Sequence, residues 1–204
     1  MYKGIEVFNI RDFLTENNDG VIGENQLNQI LSEFLCGKNA DVERFLKTQS
    51  VEFTKKNQSV TYLVFSEEGD VIGYFTIAIK PICVNLEKAK ISKSLERKIA
   101  RVGELDEETN TYTLSAYLIA QISKNFFAQR NESFSGKQLL EAALETIKQL
   151  QYMTGGMVVF LESEDNEKLL RFYEEENGFK RFDVRIAKKG TQEERNLIQL
   201  LKVI

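Results

Sequence analysis

The sequence has 204 residues, 42% hydrophobic and 28% charged, with one proline and no low-complexity tract; this fits one globular domain with a real core and leaves no place for a flexible interdomain linker. A net charge of -4 and a pI near 5.2 imply no broad nucleic-acid-binding surface, leaving only a local basic patch, and two cysteines, Cys36 and Cys83, are too few for a disulfide framework. The absence of histidine removes the commonest general base and most zinc sites, so no metal is expected. Residues 5–10 read as a short strand. Leu27, Ile30, Leu31 and Phe34 recur at helical spacing across 26–34. Asp41 supplies an N-cap for a helix over 41–56, with Val42, Phe45, Leu46 and Phe53 on its period. A hairpin follows, built from residues 60–66 and 71–79 around the turn Glu67-Glu68-Gly69-Asp70. Residues 88–101, KAKISKSLERKIAR, are basic and helical, and the acidic stretch GELDEET comes next; such blocks are usually a solvated face. Residues 112–126 form a long apolar strand, buried on both faces, with Tyr117 to Ala120 at its centre. The polar loop AQRNESFSGK leads into a helix with Leu139, Leu140, Ala143, Leu144, Ile147 and Leu150 on one stripe, ended by Gly155-Gly156. Residues 157–161 are a buried strand, 166–176 a shorter helix stopped by Asn177-Gly178, and 179–187 and 196–204 two closing strands.

Strand, helix, strand, helix, strand gives an α/β protein with right-handed crossovers, and the preceding hairpin makes its sheet mixed. No charged-then-apolar leader opens the sequence, and the longest apolar stretches are strand-length. Secretion and membrane insertion are therefore not expected, and the cytoplasm is.

Two features carry chemistry. The first is the loop from Phe126 to Leu139. A buried strand feeds a helix that opens at Ser135-Gly136-Lys137, where backbone N–H groups offer an anion site, Gly136 permits close approach, and Lys137 adds charge. A plain N-cap made by Ser135 explains the same residues. The second is Asn166 followed by Phe172-Tyr173 and Gly178-Phe179. On a helix, positions 166, 170 and 173 share one face, which puts Asn166 and Tyr173 about 10 Å apart along the axis. Phe172 and Phe179 read as core.

Residues 115–187 resemble the acetyl-CoA-binding core of the GNAT (Gcn5-related N-acetyltransferase) family. The run NEKLLRFYEEENGF, 166–179, is similar to its Asn…Phe-Tyr…Gly-Phe signature. The resemblance implies a mixed, mostly antiparallel sheet flanked by helices and splayed at the cofactor site. It implies one domain over 1–204, with N-terminal helices over 24–57 and an inserted segment over about 84–111. By the same resemblance Asn166 helps hold acetyl-CoA and Tyr173 protonates the departing thiolate. The backbone around Ile122, Ser123 and Lys124 pairs with pantetheine and helps bind the thioester oxygen. Aligning the pyrophosphate motif on Gly136 places Gln129 at its first position, with Glu132 and Phe134 where glycines are usual. Without histidine, Glu162, at the end of the strand 157–161, is the candidate base for the acceptor amine, directly or through a water.

The implied activity is acetyl transfer to a primary amine of a small molecule or protein. The run FLCGKNADVERFLK, 34–47, with TYLVF, 61–65, is similar to the GNAT subgroup that contains toxins acetylating aminoacyl-tRNA, each paired with an antitoxin. A tRNA acceptor is therefore an alternative, with the basic block 88–101 as its local contact. A non-catalytic CoA-binding module is another, motivated by the departures in the pyrophosphate loop. The closing strands 179–187 and 196–204 offer edges for a homodimer.

Overall fold

β-branched and aromatic residues predominate through 60–66, and the sequence reverses at Gly69, whose φ of +85° suits the turn that joins the first long hairpin. The Ser66 N–H donates to the Asp70 carbonyl at 2.9 Å across it. The computed structural model describes residues 4–14, 23–37, 39–129, 134–189 and 192–204, without the side chains of 129, 188, 189 and 192–194. Its strands are β1 (Ile5–Asn9), β2 (Val60–Ser66), β3 (Val71–Asn85), β4 (Glu104–Asp106), β5 (Thr111–Lys124), β6 (Val158–Glu164), β7 (Lys180–Lys189) and β8 (Gln192–Val203). They form an eight-stranded sheet in the order β1-β2-β3-β5-β6-β8-β7, with β4 on β5. β1–β2, β2–β3, β4–β5, β6–β8 and β7–β8 are antiparallel; β5–β6 is parallel. The β5–β6 register runs through Tyr117↔Val159, Leu118↔Phe160 and Ile119↔Leu161, while β5 goes on to Lys124 and β6 to Glu164.

The chain divides into two compact units, each made of two segments: residues 1–78 with 120–147, and 79–119 with 148–204. In the first unit, α1 (Glu24–Ser32), α2 (Ala40–Thr48) and α3 (Ser50–Lys55) bury Leu27, Leu31, Leu46 and Val51 with Leu63, Val71 and Tyr74. Tyr74 is wholly buried; its hydroxyl donates to the Val42 carbonyl at 2.7 Å, and its ring meets Phe34 edge-on at 5.2 Å. Burial lifts this phenol well above the ordinary tyrosine range.

The helix expected over 41–56 is two helices, and its cap is Asn39 rather than Asp41. The Asn39 Oδ1 accepts from the N–H groups of Asp41 at 3.2 Å and Val42 at 3.3 Å, so Asp41 lies inside the first turn, where its charge suits the helix dipole. The break falls at Gln49, with φ −128° and ψ −28°. Beside it, Ser50 donates its hydroxyl back to the Leu46 carbonyl at 2.6 Å, a bond that bends helices.

In the second unit, β3 continues past Ile79 to Asn85. Pro81 hides that extension from a sequence reading, because proline usually marks a strand's end or edge. The residues that follow form α4 (Lys93–Ile99), capped by the Ser92 hydroxyl, which accepts from the Leu95 N–H at 3.3 Å. Ile99 is buried with Ile82, Val84, Leu114, Val158, Phe160, Phe182 and Leu201. The cations of 88–101, among them Lys88, Lys90, Arg97, Lys98 and Arg101, are exposed. α5 (Gly136–Thr154) and α6 (Glu167–Arg171) complete the helices, and α6 runs on as a π turn over Phe172–Glu176. No helix among the described residues is long and apolar enough to cross a membrane.

Candidate functional site

In the first unit, candidate residues lie at the end of β5 and the start of α5. Ile122, Ser123 and Lys124 are consecutive, half-buried residues at that strand end. Ser123 Oγ lies 2.8 Å from Cys36 Sγ and donates to the Lys124 carbonyl at 2.9 Å. Burial pushes the Cys36 thiol up, so it stays protonated beside Ser123. The Lys124 ammonium donates to the Phe134 carbonyl at 2.5 Å and lies 5.9 Å from the Phe126 ring centre; burial lowers its pKa. A Cβ on Gly73 of β3 would stand 3.2 Å from the Ser123 carbonyl oxygen and 3.2 Å from Leu139 Cδ1. A side chain there would have to push the Ser123 carbonyl or Leu139 aside by a few tenths of an ångström, so glycine suits this close approach of β3 to the strand end and the first turn of α5.

Ser135 is the cap of α5, as the plain reading holds, and it acts in a reciprocal box that the sequence reading missed. Its Oγ accepts from the Gln138 N–H at 3.1 Å, and Gln138 Oε1 accepts from the Ser135 N–H at 2.9 Å and hydroxyl at 2.8 Å. The Ser-x-x-Gln spacing is a recognisable signature of this arrangement. The box satisfies two donors and leaves the Gly136 and Lys137 N–H groups without a partner among the described residues. Two unsatisfied donors at the positive end of a 19-residue helix suit an anion. A carboxylate in the same box would strengthen the cap and repel that anion. Gln138→Glu is therefore expected to raise Tm by a few degrees, read by thermal melting, and to weaken binding of a diphosphate anion at this helix start by about three- to tenfold, read by calorimetry. Gln129 closes a 3-10 turn, Phe127–Gln129, in which Ala128 takes a left-handed φ of 48°. The Gln129 side chain and Glu132 lie outside the described residues.

In the second unit, the candidate residues are Glu162, Asn166 and Tyr173, each within that unit. Glu162 sits opposite Gln199 on β8; its Oε1 accepts from Gln199 Nε2 at 2.8 Å and its Oε2 from Arg185 Nη2 at 2.5 Å. Both oxygens are thus engaged. Asn166 caps α6, its Oδ1 accepting from the N–H groups of Lys168 at 3.1 Å and Leu169 at 3.3 Å. That occupies the oxygen and leaves the side-chain NH₂ as the group that can reach a ligand. Tyr173 lies in the π turn, buried between the rings of Phe172 at 5.1 Å and Phe179 at 5.9 Å. Burial pushes its phenol up to about 12. The hydroxyl makes no hydrogen bond among the described residues. Next to it Glu174 takes Arg181 in a bidentate pair at 2.8 and 2.7 Å, which fastens the turn to β7. π turns are rare and frequent at functional sites, and nothing in the sequence spacing announces this one. Among the described residues no cluster of His, Cys, Asp or Glu could hold a metal.

No protein-family model matches this sequence, and no curated protein matches it by sequence. Solved structures match it over nearly its whole length. AtaT complexed with acetyl-methionyl-tRNAfMet is 19% identical over 95% of this chain and 93% of that one, with a TM-score of 0.57. A tyrosine-to-phenylalanine mutant of KacT is 16% identical over 98% and 95%, with a TM-score of 0.59. AtaTR bound with AcCoA is 17% identical over 99% and 94%, with a TM-score of 0.52. Likeness at this identity defines the fold: a GNAT-type mixed sheet, mostly antiparallel and flanked by helices, as the 115–187 resemblance implied.

Proposed function

We propose that the chain is an acetyl-CoA-dependent N-acetyltransferase that transfers the acetyl group to a primary amine. Tyr173 carries the reading: a buried, protonated phenol without a hydrogen-bond partner among the described residues, set in a π turn inside the Asn…Phe-Tyr…Gly-Phe run. The fold shared with AtaTR bound with AcCoA supports the cosubstrate. On this reading the backbone of Ile122, Ser123 and Lys124 pairs with pantetheine and donates to the thioester oxygen as charge develops there. The Gly136 and Lys137 N–H groups and the Lys137 ammonium hold the pyrophosphate, flanked by Gln129 and Ser135, and the Asn166 NH₂ adds a contact. The amine nitrogen attacks the carbonyl carbon, the C–S bond breaks, and Tyr173 gives its proton to the sulfur. Glu162, held by Arg185 and Gln199, orders the water that takes the amine proton. The measurement is acetyl-CoA-dependent release of free thiol with a panel of amines, aminoacyl-tRNA included; no release with any of them sinks the reading.

A second reading takes the α-amino group of an aminoacyl-tRNA as the acceptor, in a toxin paired with an antitoxin. It is favoured by the likeness to AtaT structures solved with acetyl-methionyl-tRNAfMet and with the C-terminus of the antitoxin AtaR. The run 34–47 supports it, and the exposed cations around α4 offer a contact for RNA phosphates. Expression is expected to arrest growth, and a neighbouring gene product to relieve the arrest. Harmless overexpression removes this reading and leaves the first in place.

A further inference from the structure

Three segments of the first unit meet at one buried side chain. Asn125, just beyond β5, is 1% exposed. Its Nδ2 donates to the Val71 carbonyl at 2.7 Å, and its Oδ1 accepts from the Leu35 N–H at 3.1 Å and the Phe127 N–H at 3.0 Å. Its own N–H donates to the Ile72 carbonyl at 2.8 Å, and the Phe126 N–H donates to the Leu35 carbonyl at 2.7 Å. Leu35 belongs to the α1–α2 connection, Val71 and Ile72 open β3, and Phe127 starts the path from β5 to α5. One residue further along the connection, Cys36 meets Ser123 on β5. A carboxamide suits this junction because it offers two acceptor sites on one atom and donors on the other; a carboxylate has no donor and an alkyl chain has neither.

We propose that Asn125 is a positioning residue for acetyl-CoA: it clamps the α1–α2 connection and the start of β3 to the end of β5, and so fixes the Ile122–Lys124 backbone that receives the cosubstrate. This rests on the acetyltransferase reading but assigns a residue that reading does not use. Asn125 acts through the backbone and not by touching ligand, so its loss shows in acetyl-CoA affinity.

Asn125→Asp tests it. An ionised carboxylate keeps both acceptor bonds and turns a second oxygen toward the Val71 carbonyl. A protonated carboxyl donates there and restores the junction. The ionisable groups on the surrounding segments are Glu33 and Cys36 on the α1–α2 connection, Asp70 and Tyr74 at the start of β3 and Lys124 at the end of β5, with Glu43 of α2 accepting from the Cys36 N–H. Burial raises Cys36, the hydrogen bond from Lys47 lowers Glu43, and burial lowers Lys124. Calorimetry of acetyl-CoA with both proteins is expected to give a variant-to-wild-type Kd ratio of about tenfold at about pH 8.5, falling below about threefold at about pH 6. A ratio near one, or a raised ratio that does not change with pH, overturns the positioning role and leaves the acetyltransferase reading intact. A wild-type chain that binds no acetyl-CoA at either pH overturns both. Should the variant not fold, amide exchange of the wild type decides. Acetyl-CoA is expected to slow exchange at Leu35 together with Phe127 by several-fold, and unchanged exchange at Leu35 in the bound protein overturns the clamp.

Discussion

Tyr173→Phe is expected to lower kcat by about 10²–10³-fold while the Kd for acetyl-CoA stays within about twofold. The substitution removes one oxygen that has no partner among the described residues. The ring keeps its contacts with Phe172 and Phe179, so the π turn and the fold persist. What disappears is the proton for the departing sulfur. The elevated pKa of about 12 keeps that proton in place at every pH where an amine substrate is tested. The wild-type rate profile should therefore show no falling limb from this group below about pH 10. Burial that raises the phenol would also disfavour a bare thiolate beside it, so the sulfur's affinity for the proton would rise together with the phenol's. Full activity in Tyr173→Phe would falsify the acid assignment.

The same shift has a sign for stability. A tyrosine unfolds to an ordinary pKa near 10. Above about pH 10 the unfolded chain loses the proton that the folded chain keeps, so stability present below that pH is lost between about 10 and about 12. Tyr74 and Tyr62, raised mainly by burial, act in the same direction. Thermal melting should therefore show a steep alkaline loss.

Phe179→Ala is expected to cost about 3–5 kcal/mol and to lower Tm by roughly 6–20 °C. Phe179 is wholly buried, and its N–H donates to the Tyr173 carbonyl at 3.0 Å. The Lys202 ammonium lies 5.7 Å from its ring centre and is anchored to the Asn177 carbonyl at 2.7 Å. Truncation opens a cavity beneath Tyr173, releases one of the two rings that hold the phenol, and admits water to it. Activity should fall along with stability, unlike in Tyr173→Phe. A loss below about 1 kcal/mol in chemical denaturation would show that the ring is not packed as described.

Periodicity made most of the elements legible. The stripe Leu139, Leu140, Ala143 and Ile147 is buried, the Gly69 turn forms, and the parallel β5–β6 pair follows from continuous apolar runs. What escaped depended on side-chain bonds across the chain or on one-residue details. Asn39 took the capping place of Asp41 because a helix start is settled by which oxygen reaches the first free N–H groups. Asn125 fell inside the strand expected over 112–126, and spacing gave it no role, since two of its partners are 90 and 54 positions away. The π turn leaves no trace in spacing, because Tyr173 keeps its place in the motif either way.

Each unit is stitched from two stretches of chain, and the stretches interleave. No single cut liberates either unit, so a fragment ending near residue 78 or beginning near 148 holds half of one core. Synthesis on a ribosome meets the same arrangement in order. The first unit has all its residues once Ile147 has emerged, whereas residues 79–119 wait for 148–204 before their core can close. β3 and β5 are thus finished at one end before the other, and the apolar residues Ile82, Val84 and Leu114 stay uncovered until the last strand, β8, leaves the tunnel. Exposure to chaperones and proteases during translation is expected to concentrate there.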